Sequence, residues 1–168
     1  VTDKLNALDE QLLSQAIDIS RQALQEHGKT PFGALVAVGG EVVATGTSSV
    51  VELCDPTAHA EVMAIRQAAT ALGRHLMPDA VMYASSEPCP LCLAACYWAR
   101  IPRLVFGATS YDVATYGFED LQIYRELSLP IGDRVLTEQP AGETMRESAA
   151  QVLRAWADGL PDPVVPKY

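Results

Sequence analysis

Apolar positions in the first part of the chain fall on a helical stripe. Leu8, Leu12, Leu13, Ala16, Ile17, Ala23 and Leu24 recur at helical intervals with polar residues between them, predicting an amphipathic helix over residues 6–27 that ends at His27-Gly28. The period then changes. Two apolar runs, Ala34–Val38 and Glu41–Thr45, flank Gly39-Gly40 in the manner of a hairpin. Gly46–Pro56 reads as a loop, and from about residue 58 Val62, Ile65, Ala69 and Leu72 mark a second helix that Gly73 closes. Ala80–Ser85 is too short for a helix and is bounded by turn residues, so it predicts a third strand. Leu91–Arg100 predicts a third helix, and Arg103–Gly107 a fourth strand.

Two short helices follow, one across 111–117 and one in FEDLQIYREL. A longer amphipathic helix over about 143–157 carries Met145, Ala149, Val152, Leu153 and Trp156 on one face. Strands alternating with helices imply crossover connections and a partly parallel sheet covered on both faces, an α/β class. At 168 residues the chain suits a single domain, 1–168, with a sizeable core. Its segment 159–168, with three prolines, is expected to be an extended tail.

Composition narrows the partners. A net charge of −9 repels a polyanion, and Lys29, Arg66, Arg74, Arg100 and Arg103 are scattered, so a small molecule is expected rather than nucleic acid. No apolar run approaches the roughly 20 residues that span a bilayer. Residues 1–26 lack the basic and apolar blocks of a secretory signal, so the expected location is the cytoplasm. Four cysteines that include a CxxC then point to metal or redox chemistry rather than a disulfide framework.

That chemistry sits in two stretches. His59-Ala60-Glu61 lies in DPTAHAEVMAIR, and Pro88-Cys89-Pro90-Leu91-Cys92 follows about thirty residues later. His59, Cys89 and Cys92 supply three corners of a zinc tetrahedron, one ion per chain, whose fourth corner is left to water or hydroxide. Both motifs stand at predicted helix starts, where unpaired N–H groups and the helix dipole favour thiolate. Glu61, two positions from His59, diverges from it on a helix and is cast as a proton shuttle. Cys54 and Cys96 compete for the fourth corner and are read as unligated apolar residues. Phe32, before Gly33, reads equally as a pocket wall or a core aromatic. A redox pair at the CxxC and a non-catalytic zinc-binding scaffold are the rival classes. A carboxylate at Glu61 counts against the second.

TPFGALV, DPTAHAEVMAIR, EPCPLCLAACYWAR, GFEDLQIYREL and the terminal Lys167-Tyr168 together resemble the guanine deaminase branch of the cytidine deaminase-like superfamily, whose signature is H-x-E…P-C-x-x-C. The resemblance implies a three-layer α/β/α sandwich around a five-stranded mixed sheet. It also implies a homodimer, swapped in some members through the C-terminal segment, and hydrolysis of an exocyclic amine on a purine-like base with release of ammonia. By position it implies that His59, Cys89 and Cys92 bind zinc, and that Glu61 with Glu119 or Asp120 moves protons. Phe32, Ser48, Ala60, Ser86, Trp98 and Tyr168 would surround the substrate. Ser48 stands where the family usually carries Asn, and a hydroxyl cannot offer donor and acceptor from two separate atoms as an amide does. A cytosine-like or triazine-like ring, or a nucleoside, is therefore the alternative substrate.

Overall fold

Asn6 starts the first helix. Its side chain accepts from the Asp9 backbone N–H at 2.9 Å, and the Asp9 carboxylate accepts in return from the Asn6 N–H, so two otherwise unpaired donors are satisfied reciprocally. The computed structural model describes residues 4–165. Helix α1 (Ala7–Ala23) leads into strands β1 (Thr30–Val38) and β2 (Glu41–Ser48), joined through Gly39 and Gly40 at φ of +59° and +88°. Positive φ at both turn positions suits a tight hairpin and favours glycine. A single turn, α2 (Val50–Leu53), breaks the expected loop before α3 (Ala60–Leu72). Strand β3 (Ala80–Ser86), helix α4 (Pro90–Trp98), strand β4 (Arg103–Ala108) and helices α5 (Ser110–Thr115) and α6 (Asp120–Ser128) follow.

The sheet order is β2-β1-β3-β4, with β1 antiparallel to both neighbours and β3 parallel to β4. Side chains of the central strand β1 alternate between two helical layers. Ala34 and Val36 face a cluster with Ala60, Ala64 and Ala68 of α3 and Cys96 of α4, whereas Leu35 and Ala37 face Leu12 and Ala16 of α1. Both faces of the strand are thus buried, which is why its sequence is apolar without interruption. The α/β/α layering is as expected, but the sheet has four strands among the described residues where five were expected. After β4 the chain turns into α5 and α6.

Helix α3 meets the sheet on a different stripe from the one its larger residues suggest. Its innermost row is Ala60, Ala64 and Ala68, with Ile65 and Leu72 at the margin. Gly46 explains the choice: a Cβ there would stand 2.1 Å from the Ala60 carbonyl oxygen and 2.5 Å from the Ala64 nitrogen. The first turns of α3 therefore rest on bare β2 backbone, fixing the height of the helix start that carries His59 and Glu61.

On the other face, Asp9 is buried and gathers three elements. Its carboxylate accepts from both Arg103 guanidinium nitrogens of β4, at 2.6 and 2.8 Å, and from the Tyr83 hydroxyl of β3 at 2.7 Å. The Arg103 hydrogen bonds hold its carboxyl well below the ordinary value of 3.8, against the opposing effect of burial. Asp9→Asn is expected to cost about 2 kcal/mol at pH 7, discounted because Arg103 is half exposed. A depressed carboxyl contributes stability above its unfolded pKa and loses it as pH falls toward the folded one. Thermal unfolding should thus show a gap between the two proteins that is full at pH 7 and narrows progressively below about pH 4. A gap that widens in acid would contradict this role.

By internal contacts the chain forms two compact units, parting after Ser128. The second unit has a 3-10 turn at Ile131–Asp133 and helix α7 (Glu143–Asp158), on which Met145, Val152, Leu153 and Trp156 are exposed.

Candidate active site

Two helix starts converge to make the site. His59 is the N-cap of α3 and Cys89 the N-cap of α4, both in extended backbone conformation, with Cys92 in the first turn of α4. Pro90 occupies the first helical position, where its missing N–H costs nothing and its fixed φ sets Cys89 and Cys92 on one side. The His59 Nδ1 lies 3.4 Å from Cys89 Sγ and 3.5 Å from Cys92 Sγ, and the two sulfurs are 3.6 Å apart.

These separations test the fit to zinc. With Zn–S near 2.3 Å and Zn–N near 2.0 Å, the edges of a regular tetrahedron come to about 3.8 Å between sulfurs and about 3.5 Å between sulfur and nitrogen. The observed triangle has those dimensions, and its donors are an imidazole and two thiols. Between the thiols, Cys89 is the acidic one, held down to about 4 by hydrogen bonding from Cys92 and His59 while Cys92 keeps its proton. A divalent cation displaces that proton. His59, Cys89 and Cys92 are thus positioned to bind one zinc ion. Cys96 points into the core against Ala34 and Val36, its thiol pushed up to about 12 by burial, and Cys54 is exposed. Neither joins the donor group.

A cavity of about 280 Å³ opens beside the donors, small among ligand pockets and sized for a compact ring system. His59, Cys89, Ala60, Glu61, Ser48, Ser86, Phe32, Glu119 and Asp120 all line it. Glu61 is 7% exposed, and burial pushes its carboxyl up, against hydrogen bonding from its own backbone N–H and Cys92. A carboxyl so raised exchanges protons more readily near neutral pH than an ordinary one. Asp120, the first residue of α6, is raised as well, by burial first and by Cys89 second. Phe32 meets Phe118 edge to face, with ring centroids 4.7 Å apart. Phe32 both lines the cavity and packs against the core cluster of β1, α3 and α4.

Trp98 does not line this cavity in the single chain. It lies six residues after Cys92, about 240° around α4, and its side chain is 82% exposed. Tyr168 lies outside the described residues. Thr30, Val50, Val51, Phe118 and Ile123 of the cavity lining, and Tyr124 beside it, escaped the sequence. Thr30 lines it because the β1–β2 register sets it opposite Ser48. Phe118 lies immediately before the acid pair, the one signal that could have found it. Tyr124 donates to the Pro88 carbonyl at 2.7 Å, tying α6 to the loop that delivers Cys89 and so keeping Asp120 at the cavity.

The chain is similar to known proteins over most of its length. Residues 6–108 match the family model described as the cytidine and deoxycytidylate deaminase zinc-binding region. Guanine deaminase of Bacillus subtilis (strain 168) is 37% identical over 149 residues, covering 89% of this chain and 96% of that one. Its crystal structure superposes with a TM-score of 0.84 at 35% identity, covering 95% of this chain and all of the other. A tRNA-specific adenosine deaminase of Agrobacterium fabrum is 41% identical over 90 residues, 54% of this chain and 59% of its own. The match to the family model spans both stretches that bring the donors and Glu61 together, so the chain belongs to the zinc-binding cytidine and deoxycytidylate deaminase family.

Proposed function

We propose that the protein hydrolyses the exocyclic amine of a free purine-like base, guanine or a close analogue, with release of ammonia. One observation supports this above the others: a buried carboxylate, Glu61, shares a small cavity with the metal donors His59 and Cys89, in a chain that follows guanine deaminase from Bacillus subtilis almost end to end. When bound, zinc supplies Lewis acidity that activates water near neutral pH. Glu61 takes a proton from the attacking water and delivers it to a ring nitrogen. As the carbon–oxygen bond replaces the carbon–nitrogen bond, a second proton passes to the departing amine, which leaves as ammonia. Asp120, or Glu119 beside it, assists that transfer. Phe32 and Phe118 hold the ring plane, Ser48 meets a polar edge, and the backbone at Ala60 and Ser86 contacts the ring or its developing oxyanion.

We read the working form as a cytoplasmic homodimer in which the C-terminal segment closes the cavity through Tyr168, within a chain or across a swap. Deleting residues 166–168 is expected to raise KM for the base about tenfold, through the lost stacking and exclusion of water. Unchanged KM and kcat would remove the tail from the site.

The deciding measurement is ammonia release across guanine, adenine, cytosine, aminotriazines and the corresponding nucleosides. Guanine is expected to lead by at least about tenfold in kcat/KM, the discrimination expected of a site with paired polar contacts. A nucleoside or a cytosine-like ring in first place would overturn the substrate.

A further inference from the structure

Resting on the reading of the cavity as a base site, and deepening it, one pair of residues bears on what the site recognises. Thr30 and Ser48 are cross-strand partners at the end of the β1–β2 hairpin. The Thr30 hydroxyl donates to Ser48 Oγ at 2.6 Å, and both residues line the cavity that Glu61, His59 and Cys89 also line. Ser48 is only 4% exposed. Among the described residues, no other hydrogen bond to either hydroxyl is found. The adjacent Ser49 does not compete for them: its Oγ accepts from Lys29 Nζ at 2.6 Å.

We propose that Thr30 and Ser48 act as one two-oxygen unit that reads the hydrogen-bonding edge of the ring, in either donor–acceptor order. Each hydroxyl has one proton and two lone pairs. When Thr30 donates to Ser48, the Ser48 proton is left for a ring acceptor and a Thr30 lone pair for a ring donor. When the shared proton runs the other way, the roles exchange without moving a heavy atom. The ligand class is therefore a heteroaromatic ring with a donor and an acceptor side by side on one edge. Guanine presents N–H at position 1 beside the oxygen at position 6. 2,6-Diaminopurine presents a bare ring nitrogen beside an amino group, the inverse order, and carries the same 2-amino group. Fixed β1–β2 register makes the unit a property of the fold rather than of either side chain alone.

The test is equilibrium binding of both rings by calorimetry to zinc-loaded protein in a Glu61→Gln background, where turnover does not intrude. Thr30→Val is expected to weaken both rings about 10- to 100-fold, by comparable factors. Ser48→Ala should do the same, and the double variant should lose no more than about threefold beyond the worse single one, since the two act as a unit. Thr30→Ser keeps the hydroxyl and should recover most of the loss. Unchanged Kd in Thr30→Val, additive losses, a loss confined to one ring, or no recovery in Thr30→Ser would each overturn the proposal. If the parent protein binds both rings with the Thr30→Val penalty but the wild type releases no ammonia, the edge reader stands and the hydrolase reading falls. If neither ring binds, both fall.

Discussion

Glu61→Gln is expected to lower kcat for amine release by about 10³- to 10⁴-fold, the upper part of the range for general acid–base groups, because one side chain handles successive proton transfers. The substitution is close to isosteric. It keeps the hydrogen-bonding shape of the side chain and removes only the capacity to hold and release a proton, so KM should move by less than about threefold. Zinc content should stay at one ion per chain, since His59, Cys89 and Cys92 are untouched. Thermal stability should be unchanged or higher. Burial raises the Glu61 carboxyl, which means that the folded protein pays to keep it charged, and an amide relieves that cost. The combination separates a catalytic carboxylate from a structural one, whose loss would cost stability and spare kcat. Activity within tenfold of wild type, measured by single-turnover ammonia release, would remove Glu61 from the proton path.

What the sequence disclosed, and what it withheld, follows from how local each signal is. His59, Glu61, Cys89 and Cys92 were legible because each pair sits within four residues at a helix start, and helix geometry alone decides which way those side chains face. Strand and helix order was legible for the same reason. Sheet membership was not: four strands pair among the described residues, and whether a run joins a sheet depends on a partner ladder far along the chain. The stripe of α3 that meets the sheet was misread because a row of alanines looks inert until Gly46 of another element brings backbone within reach. Thr30 entered the cavity through a register shift in β1 between Thr30 and Gly33, which no periodicity announces. Asp9 was similarly hidden. In sequence it is a capping acid; only the packing of α1 on β3 and β4 gives it Tyr83 and Arg103. Trp98 is placed at the pocket by resemblance alone; in the single chain, six residues after Cys92, it is exposed and outside the cavity lining.

Cys92→Ala should empty the metal site, and comparison with Cys96→Ala shows why the effect is chemical rather than a matter of packing. Both cysteines are buried on α4, four residues apart, and each substitution deletes one sulfur. Cys92 contributes an edge of the donor triangle, 3.6 Å from Cys89 and 3.5 Å from His59. Two remaining donors do not hold zinc tightly against solvent, so zinc is expected to fall from one per chain to below about one tenth after dialysis, and ammonia release to drop at least about 10³-fold. Stability should fall too, because metal that binds only the folded state adds to folding free energy. Cys96 packs against Ala34, Val36 and the α3 alanines and is outside the donor group found among the described residues. Its loss should cost about 1 kcal/mol as a small cavity and leave the zinc in place. Elemental analysis and thermal unfolding of both variants check this, along with wild type treated with chelator, which should behave like Cys92→Ala and recover when zinc is returned. A Cys92→Ala protein that retains a full equivalent of zinc, or a Cys96→Ala protein that loses it, would place the metal on a different donor set.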